Sequence, residues 1–472
     1  MSLATLVQAV NRFAAATVHL NEHHLNQPSY RWDDYEQVRY AFLHSTLEIR
    51  QLAATLYQQR YHNNLNPSYV QHTLTHHQQI YRECLGLLAG ISDETALKPP
   101  APHEWPVRDI FLHMYRTERY FYATIRKTLE AQVNRQPAQP VSENEIYTLA
   151  EETGDPETAD TPLSVLKERF ETLHNRIVQT LATLSEGRSQ LASPMWETKA
   201  YPIRFRLHRF ESHLHEHINQ LEKTLAALGL LTEPRLLLRQ MYNALGEVEG
   251  AIAGANMLGY VECLNAAAII SDRITEIKTA VAQTNAILKA VEAGETNTVK
   301  ELLDTNPRLV NTVDTDGLFL IVKAAYNHDW DTVKLLLAMG AFLDVWEAAA
   351  AGSLEQAQAW LAHSPQDLNG YARDGFTPLQ LACYFNHEAL ALFLLDQGAD
   401  VTLVSQNALG LQALHAAATH GNPVLIKALL DRGADANARQ ASGSTPLDAA
   451  RENEDVSLAE LLQQYGAKDE AK

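Results

Sequence analysis

The sequence predicts an all-α protein: an up-and-down four-helix bundle with flanking helices, followed by a solenoid of short helical repeats. Three observations predict it. Before about residue 230, apolar residues recur at helical spacing over long stretches separated by polar or proline-rich connections. After about residue 290 the chain repeats itself, with Gly-Ala marks at Gly398, Gly433 and Gly466 that fall 35 and 33 residues apart. Histidine is unevenly shared, 15 of 20 lying before residue 230, so the two parts are domains of different kind.

A length of 472 residues suits two to four domains. The formal net charge of −19 argues against a phosphate-binding footprint, and no nucleic-acid partner is expected. No window offers the roughly 18 consecutive apolar residues of a membrane span. The start, Met1-Ser-Leu-Ala-Thr-Leu, lacks the basic region of a secretion signal and reads as an amphipathic helix. The expected location is the cytoplasm, without membrane attachment. Cys84, Cys263 and Cys383 give neither a metal signature nor a disulfide framework and are expected as small buried residues.

The elements follow in order. Asp33-Asp34 opens a helix that runs to about Arg60, its acidic start suiting the positive end of the helix dipole. Pro67-Ser68 begins the first bundle helix, expected to reach about Ala89. Lys98-Pro-Pro-Ala-Pro102 cannot continue a helix, and Pro106 suits the first turn of the second, which runs to about Gln132. Residues 133–160 read as a long polar loop, Thr161-Pro162 starts the third helix, and the fourth runs from about Phe205 to Gly229. Two further helices in 234–283, with Gly246, Gly250, Gly254 and Gly259 near their junction, join those of 1–62 as a flanking layer. The expected domains are therefore 1–283, with a bundle core at about 66–230, and 284–472.

The repeats decide the fold of the second domain. Asp374-Gly-Phe-Thr-Pro-Leu-Gln-Leu-Ala, continuing to Gly398-Ala-Asp400, recurs from Leu409 to Asp435 and from Ser442 to Gly466. This unit resembles an ankyrin repeat along its whole length. About six repeats are expected: 285–313 as an N-terminal cap, 316–341 recognisable, and 346–370 shortened. Each unit buries its apolar face only against its neighbours, so the units stack. The resemblance implies a surface for a protein partner, and places His415 at a structural hydrogen-bonding position.

The chemistry concentrates in three histidines. His213 and His217, in His213-Leu-His-Glu-His217, project from one helical face at i, i+4 spacing, which suits one metal ion. His113, in Trp105-Pro-Val-Arg-Asp-Ile-Phe-Leu-His113, supplies a third imidazole if its helix faces theirs. Three protein ligands leave a coordination position open, as in catalytic sites. In both segments the sequence resembles the DinB-like (YfiT-like) metal-binding bundle family, over about residues 66–230. That family carries one histidine on its second bundle helix, about eight residues after a tryptophan, and an HxxxH on the fourth. His113, His213 and His217 occupy those positions.

The resemblance implies a divalent metal, zinc or nickel, and a thiol-dependent S-transferase that uses a low-molecular-weight thiol such as bacillithiol or mycothiol on a small electrophile. The alternative is a non-enzymatic ankyrin scaffold in which the three-histidine metal site is structural. Hydrolysis by metal-activated water is chemically open as well. Among other polar groups, Glu118 is a weak catalytic candidate at the site's edge, to be weighed against an exposed charge or an ion pair with Arg116 or Arg119. His72, His76 and His77 read as a solvated face from which one side chain approaches the site only as an extra ligand. His208 and His215 point away, and Tyr115, Tyr122 and Trp196 are candidate pocket walls, though core packing is commoner for aromatics.

Overall fold

The computed structural model describes residues 2–27, 37–150, 157–158, 160–195, 199–255 and 258–468. Helices account for nearly all its regular structure, as the periodicity requires. Eight long helices make the first part: α1 (Ser2–Thr17), α2 (Arg39–His62), α3 (Tyr69–Leu87), α4 (Val107–Val133), α5 (Leu163–Leu181), α6 (Ile203–Ala227), α7 (Glu233–Ile252) and α8 (Tyr260–Glu292). The amphipathic N-terminus is α1, which buries Leu6, Val10 and Phe13. The expected acidic start at Asp33-Asp34 lies outside the described residues, and the helix there is described from Arg39.

Local chemistry sets most boundaries. Ser68 caps α3 through the Gln71 amide, and the Gln71 side chain answers the Ser68 amide, a reciprocal capping box. Pro106 stands at the cap of α4, one residue earlier than a first-turn position. The connection after α4, expected to be a loop throughout, contains a short helix, Glu143–Leu149. Its start carries the same reciprocal bonding between Ser142 and Glu145, a four-residue signal inside a stretch that otherwise reads as polar loop. Before α6 the chain forms a two-residue antiparallel ladder, Ala192–Ser193 with Tyr201–Pro202.

In the bundle, α3 packs against α5 and α6, and α4 packs against the same two helices. The ring order is therefore α3, α6, α4, α5, with α3 diagonally across from α4. Leu74, Tyr81, Phe111, Met114, Phe170, Ile177, Phe210, Leu214 and Leu221 fill its centre. The flanking layer rests on α7, which packs along α3 and α2 and also touches α1. Two arginines close helix ends there. Arg60 donates to the carbonyls of Ala251 and Ala253 at the C-terminal end of α7, and Arg235 to those of Leu87 and Ala89 at the C-terminal end of α3, satisfying acceptors that a helix terminus leaves open. The last flanking helix, expected to end near residue 283, continues to Glu292 because no proline or glycine interrupts it before Gly294. Two compact units divide inside it, between Thr279 and Ala280.

The second unit is a stack of helix pairs. They run from Leu320–Tyr326 with Trp330–Ala338, through Val345–Ala351 with Leu354–His363, to Pro378–Tyr384 with Glu388–Asp396. Ala413–His420 with Pro423–Asp431 and Pro446–Glu452 with Val456–Gln464 complete the array, and Thr296–Thr305 precedes it. First helices stack on first helices and second on second, which buries the shared Leu and Ala faces. Thr377 and Thr445 cap their helices with proline in the first turn. Gly398, Gly433 and Gly466 each adopt φ of +90°, a left-handed conformation that requires glycine at the mark defining the period. His415 accepts from the Gln412 amide through Nδ1 and donates from Nε2 to the Ala438 carbonyl, the structural role expected of it.

Candidate metal centre

The ring order brings α4 beside α6, and with them His113 beside His213 and His217. The Nε2 atoms of His113 and His213 are 3.2 Å apart. One ring nitrogen from each of the three lies within 4.8 Å of the others. Ring centroids are separated by 4.5 to 5.2 Å. Imidazoles bound to one zinc at about 2.0–2.1 Å in tetrahedral geometry stand about 3.3 Å apart along each edge. The residues present therefore fit a shared divalent ion.

The surroundings favour neutral, ligating imidazoles. His217 donates from Nδ1 to Gln220 Oε1 at 2.9 Å, which leaves Nε2 as the nitrogen free to ligate. Burial, and then the proximity of His217 and His113, push His213 down to about 4. Burial and His217 also lower His113. His213 is buried, whereas His113 and His217 are part-exposed, so the cluster is closed on the bundle side and open on the other. An open cleft of about 410 Å³ adjoins it, lined by His103, Glu104, Trp105, Gln220, Lys223 and Thr224. Trp105, the residue eight positions before His113, sets its ring 5.4 Å from that imidazole. Gln220→Ala is expected to weaken metal affinity by about 10–100-fold while leaving helicity unchanged, because it frees the His217 ring. Competition titration with a chromogenic chelator measures this.

Not every polar group expected near the site is there. Glu118 is neither at an exposed edge nor paired with a neighbouring arginine: it is fully buried and lies 2.6 Å from His77 Nε2. Burial alone raises a carboxyl, but His77 and His174 outweigh it and hold Glu118 down at about 2. The arginines beside it instead grip Glu157, Arg119 through its two terminal guanidinium nitrogens at 2.5 and 3.1 Å. His77 is core rather than solvated face, while His72 and His76 are exposed. His208 and His215 are exposed, as their helical angle requires. Tyr115 and Tyr122 are buried core residues, Tyr115 5.6 Å from Phe170 by ring centroid and Tyr122 bonded to Thr180. Trp196 lies outside the described residues.

Sequence reasoning passed over Gln220 and His174. Both had a local signal, since Gln220 follows His217 by three residues, and His174 falls in the apolar stripe of Phe170, Leu173 and Ile177. All three cysteines are buried and free, and burial pushes the Cys84 and Cys383 thiols up to about 12.

The comparisons with known proteins agree with this division. The sequence model of the DinB superfamily matches residues 76–221, which contain all three histidines. Ankyrin repeat models match residues 374–406 and 394–450. The chain is 29% identical over 178 residues to Tyrosine-protein kinase HTK16 of Hydra vulgaris, covering 37% of this chain and 20% of that one. It is 35% identical over 121 residues to Ankyrin repeat and SAM domain-containing protein 6 of Mus musculus, covering 25% of this chain and 14% of that one. To Ankyrin repeat domain-containing protein SAT10 of Stachybotrys chartarum it is 28% identical over 230 residues, covering 47% of this chain and 12% of that one. The chain thus spans a fifth or less of the length of these relatives. Among the described residues no helix is long and apolar enough to cross a membrane. The chain carries a DinB superfamily domain, a domain of metal-binding type, followed by C-terminal ankyrin repeats that form a protein-interaction module.

Proposed function

We propose that the bundle is a metal-dependent S-transferase, acting in the cytoplasm, that joins a low-molecular-weight thiol to a small electrophile, and that the ankyrin stack docks it on a protein partner. The observation that carries this reading is the convergence of three imidazoles, with donor atoms within 4.8 Å, beside an open cleft lined by their neighbours Trp105 and Gln220. His113, His213 and His217 would hold a zinc or nickel ion, which would supply Lewis-acid chemistry that lowers the pKa of the thiol. Gln220 orients His217, and the Trp105 ring stands beside His113. In the transfer the thiol proton passes to solvent, the sulfur lone pair forms the new bond to carbon, and the leaving group departs with its bonding pair. The chain's own thiols do not compete, since all three are buried.

Metal analysis of the purified chain and of His113→Ala, His213→Ala and His217→Ala tests the site. Each variant is expected to lose the metal bound at this site and keep its helicity. Unchanged metal content in all three removes the reading. Activity is then read with a panel of thiols and electrophiles. Silence across that panel in a metal-loaded chain, together with partner capture through the repeats, favours the scaffold in which the ion only staples α4 to α6.

A further inference from the structure

A second polar cluster lies in the bundle core, apart from the three-histidine site. His77 on α3, Glu118 on α4 and His174 on α5 are all without solvent exposure, and one donor atom from each lies within 4.8 Å of the other two. His77 Nε2 stands 2.6 Å from Glu118 Oε1, and His174 Nδ1 stands 3.9 Å from Glu118 Oε2. Phe210 separates this cluster from the other histidines: its ring is 5.1 Å from His77 and 5.6 Å from Phe121, which in turn is 6.0 Å from His213.

The bonding around His174 leaves this cluster incomplete. Its Nε2 donates to Gln78 Oε1 at 2.7 Å, and its ring stacks on Tyr81 at 3.8 Å between centroids. A neutral imidazole has one donor nitrogen, so Nδ1 then presents a lone pair. That lone pair faces a carboxylate oxygen across a gap too wide for a hydrogen bond. Among the described residues, neither His174 Nδ1 nor Glu118 Oε2 has a hydrogen-bond partner, although both are buried. Buried acceptors without a donor are expensive and rare. A cation answers both lone pairs at once.

We propose that His77, Glu118 and His174 form a second, buried divalent-cation site of the zinc type, with Gln78 orienting His174. Two imidazoles and one carboxylate are a donor set zinc accepts, and the carboxylate supplies compensating charge in the core. The Gln78 bond to the far nitrogen of His174 is the outer support that ligating histidines ordinarily receive. The 2.6 Å contact between His77 and Glu118 opens to about 3.3 Å to span a tetrahedral edge. Buried on every side, the ion would tie α3, α4 and α5 together and leave turnover to the exposed site.

The test is a zinc count on the full chain after equilibration with zinc and gel filtration. The parent is expected to hold two zinc ions per chain; His113→Ala loses one, Glu118→Gln loses the other, and the double variant holds neither. Glu118→Gln preserves size and a hydrogen bond to His77, and circular dichroism checks its fold. If that variant does not fold, chelator is added to the His113→Ala chain: a lowered thermal midpoint supports the buried site, and an unchanged midpoint overturns it. A parent with one zinc that is lost in His113→Ala and kept in Glu118→Gln overturns the proposal and points to a buried water in the gap. A second zinc that survives both Glu118→Gln and His174→Ala also overturns it. Loss in Glu118→Gln with none in His113→Ala keeps the buried site and removes the exposed one.

Discussion

Arg82→Met is expected to destabilise the bundle by about 3–5 kcal/mol, the cost of stripping one partner from a buried ion pair. Arg82 lies on α3 with 2% of its surface exposed and donates from Nε and Nη2 to both carboxylate oxygens of Glu249 on α7, at 2.8 and 2.6 Å. Its remaining nitrogen donates to Glu171 on α5 at 3.1 Å. The two carboxylates are not equivalent. The Glu171 side chain is 37% exposed and turns to water when the guanidinium is removed, whereas Glu249, 6% exposed, is left charged between two helices. Desolvation therefore falls on Glu249, and the double variant Arg82→Met, Glu249→Leu is expected to recover most of the loss, since apolar residues of similar volume often replace a buried pair at little cost. Chemical denaturation followed by circular dichroism measures both chains. A single variant within about 1 kcal/mol of the parent would show that water reaches Glu249 in the folded state.

What was legible in the chain follows from how local each signal is. His213 and His217 are set on one face by helical geometry alone, and His215 is sent to the opposite side by the same arithmetic. His113 is harder, because 100 residues separate it from His213, and only the packing of α4 against α6 joins them. The Thr-Pro and Gly-Ala marks were readable for the same local reason, each fixing a cap or a left-handed turn within its own repeat. The buried cluster was not readable as a cluster. His77, Glu118 and His174 sit on three helices, and His77 lies in a histidine-rich run whose other members, His72 and His76, are solvated. Glu118 stands five residues after His113, a spacing that suggests the site's edge, yet the α4 face it occupies turns toward His77 and His174. The glycines of α7 misled in another way. Gly246 and Gly250 suggested a junction between helices, since glycine weakens a helix interior, but both lie within α7. Only Gly254 and Gly259, with φ of +74° and +73°, belong to the connection.

The reason for those helical glycines yields the second large effect. Gly246→Ala is expected to destabilise the bundle by about 1–3 kcal/mol, the usual range for overpacking, with Gly246→Leu costing more. On an isolated helix the alanine change would have the opposite sign, a gain of about 0.8–1.0 kcal/mol from helix propensity. Contact decides which effect wins. A Cβ at position 246 would sit 2.5 Å from Gln79 Cα and 2.7 Å from Gln79 N, both backbone atoms of α3 that no rotamer change can move. Nearby, a Cβ at Gly86 of α3 would meet Arg239 Cα of α7 at 2.9 Å, so the two backbones approach closely from both sides. Gly250 is tight as well: its Cβ would meet Thr75 Cγ2 at 2.3 Å and Thr75 Cβ at 2.7 Å, and Thr75 is buried, β-branched and bonded through Oγ1 to the Gln71 carbonyl, so rotation gives little relief. Gly187 is the control: it is exposed, with nothing within 4 Å of an added Cβ, and Gly187→Ala is expected to be neutral or stabilising by about 0.4–1 kcal/mol. Thermal denaturation of the three alanine variants should therefore leave Gly187→Ala the most stable, with Gly246→Ala and Gly250→Ala both below it. A Gly246→Ala chain as stable as the Gly187→Ala chain would mean that α7 can move off α3 at no cost, which the Arg82 to Glu249 pair and the Arg60 and Arg235 bonds at their ends oppose.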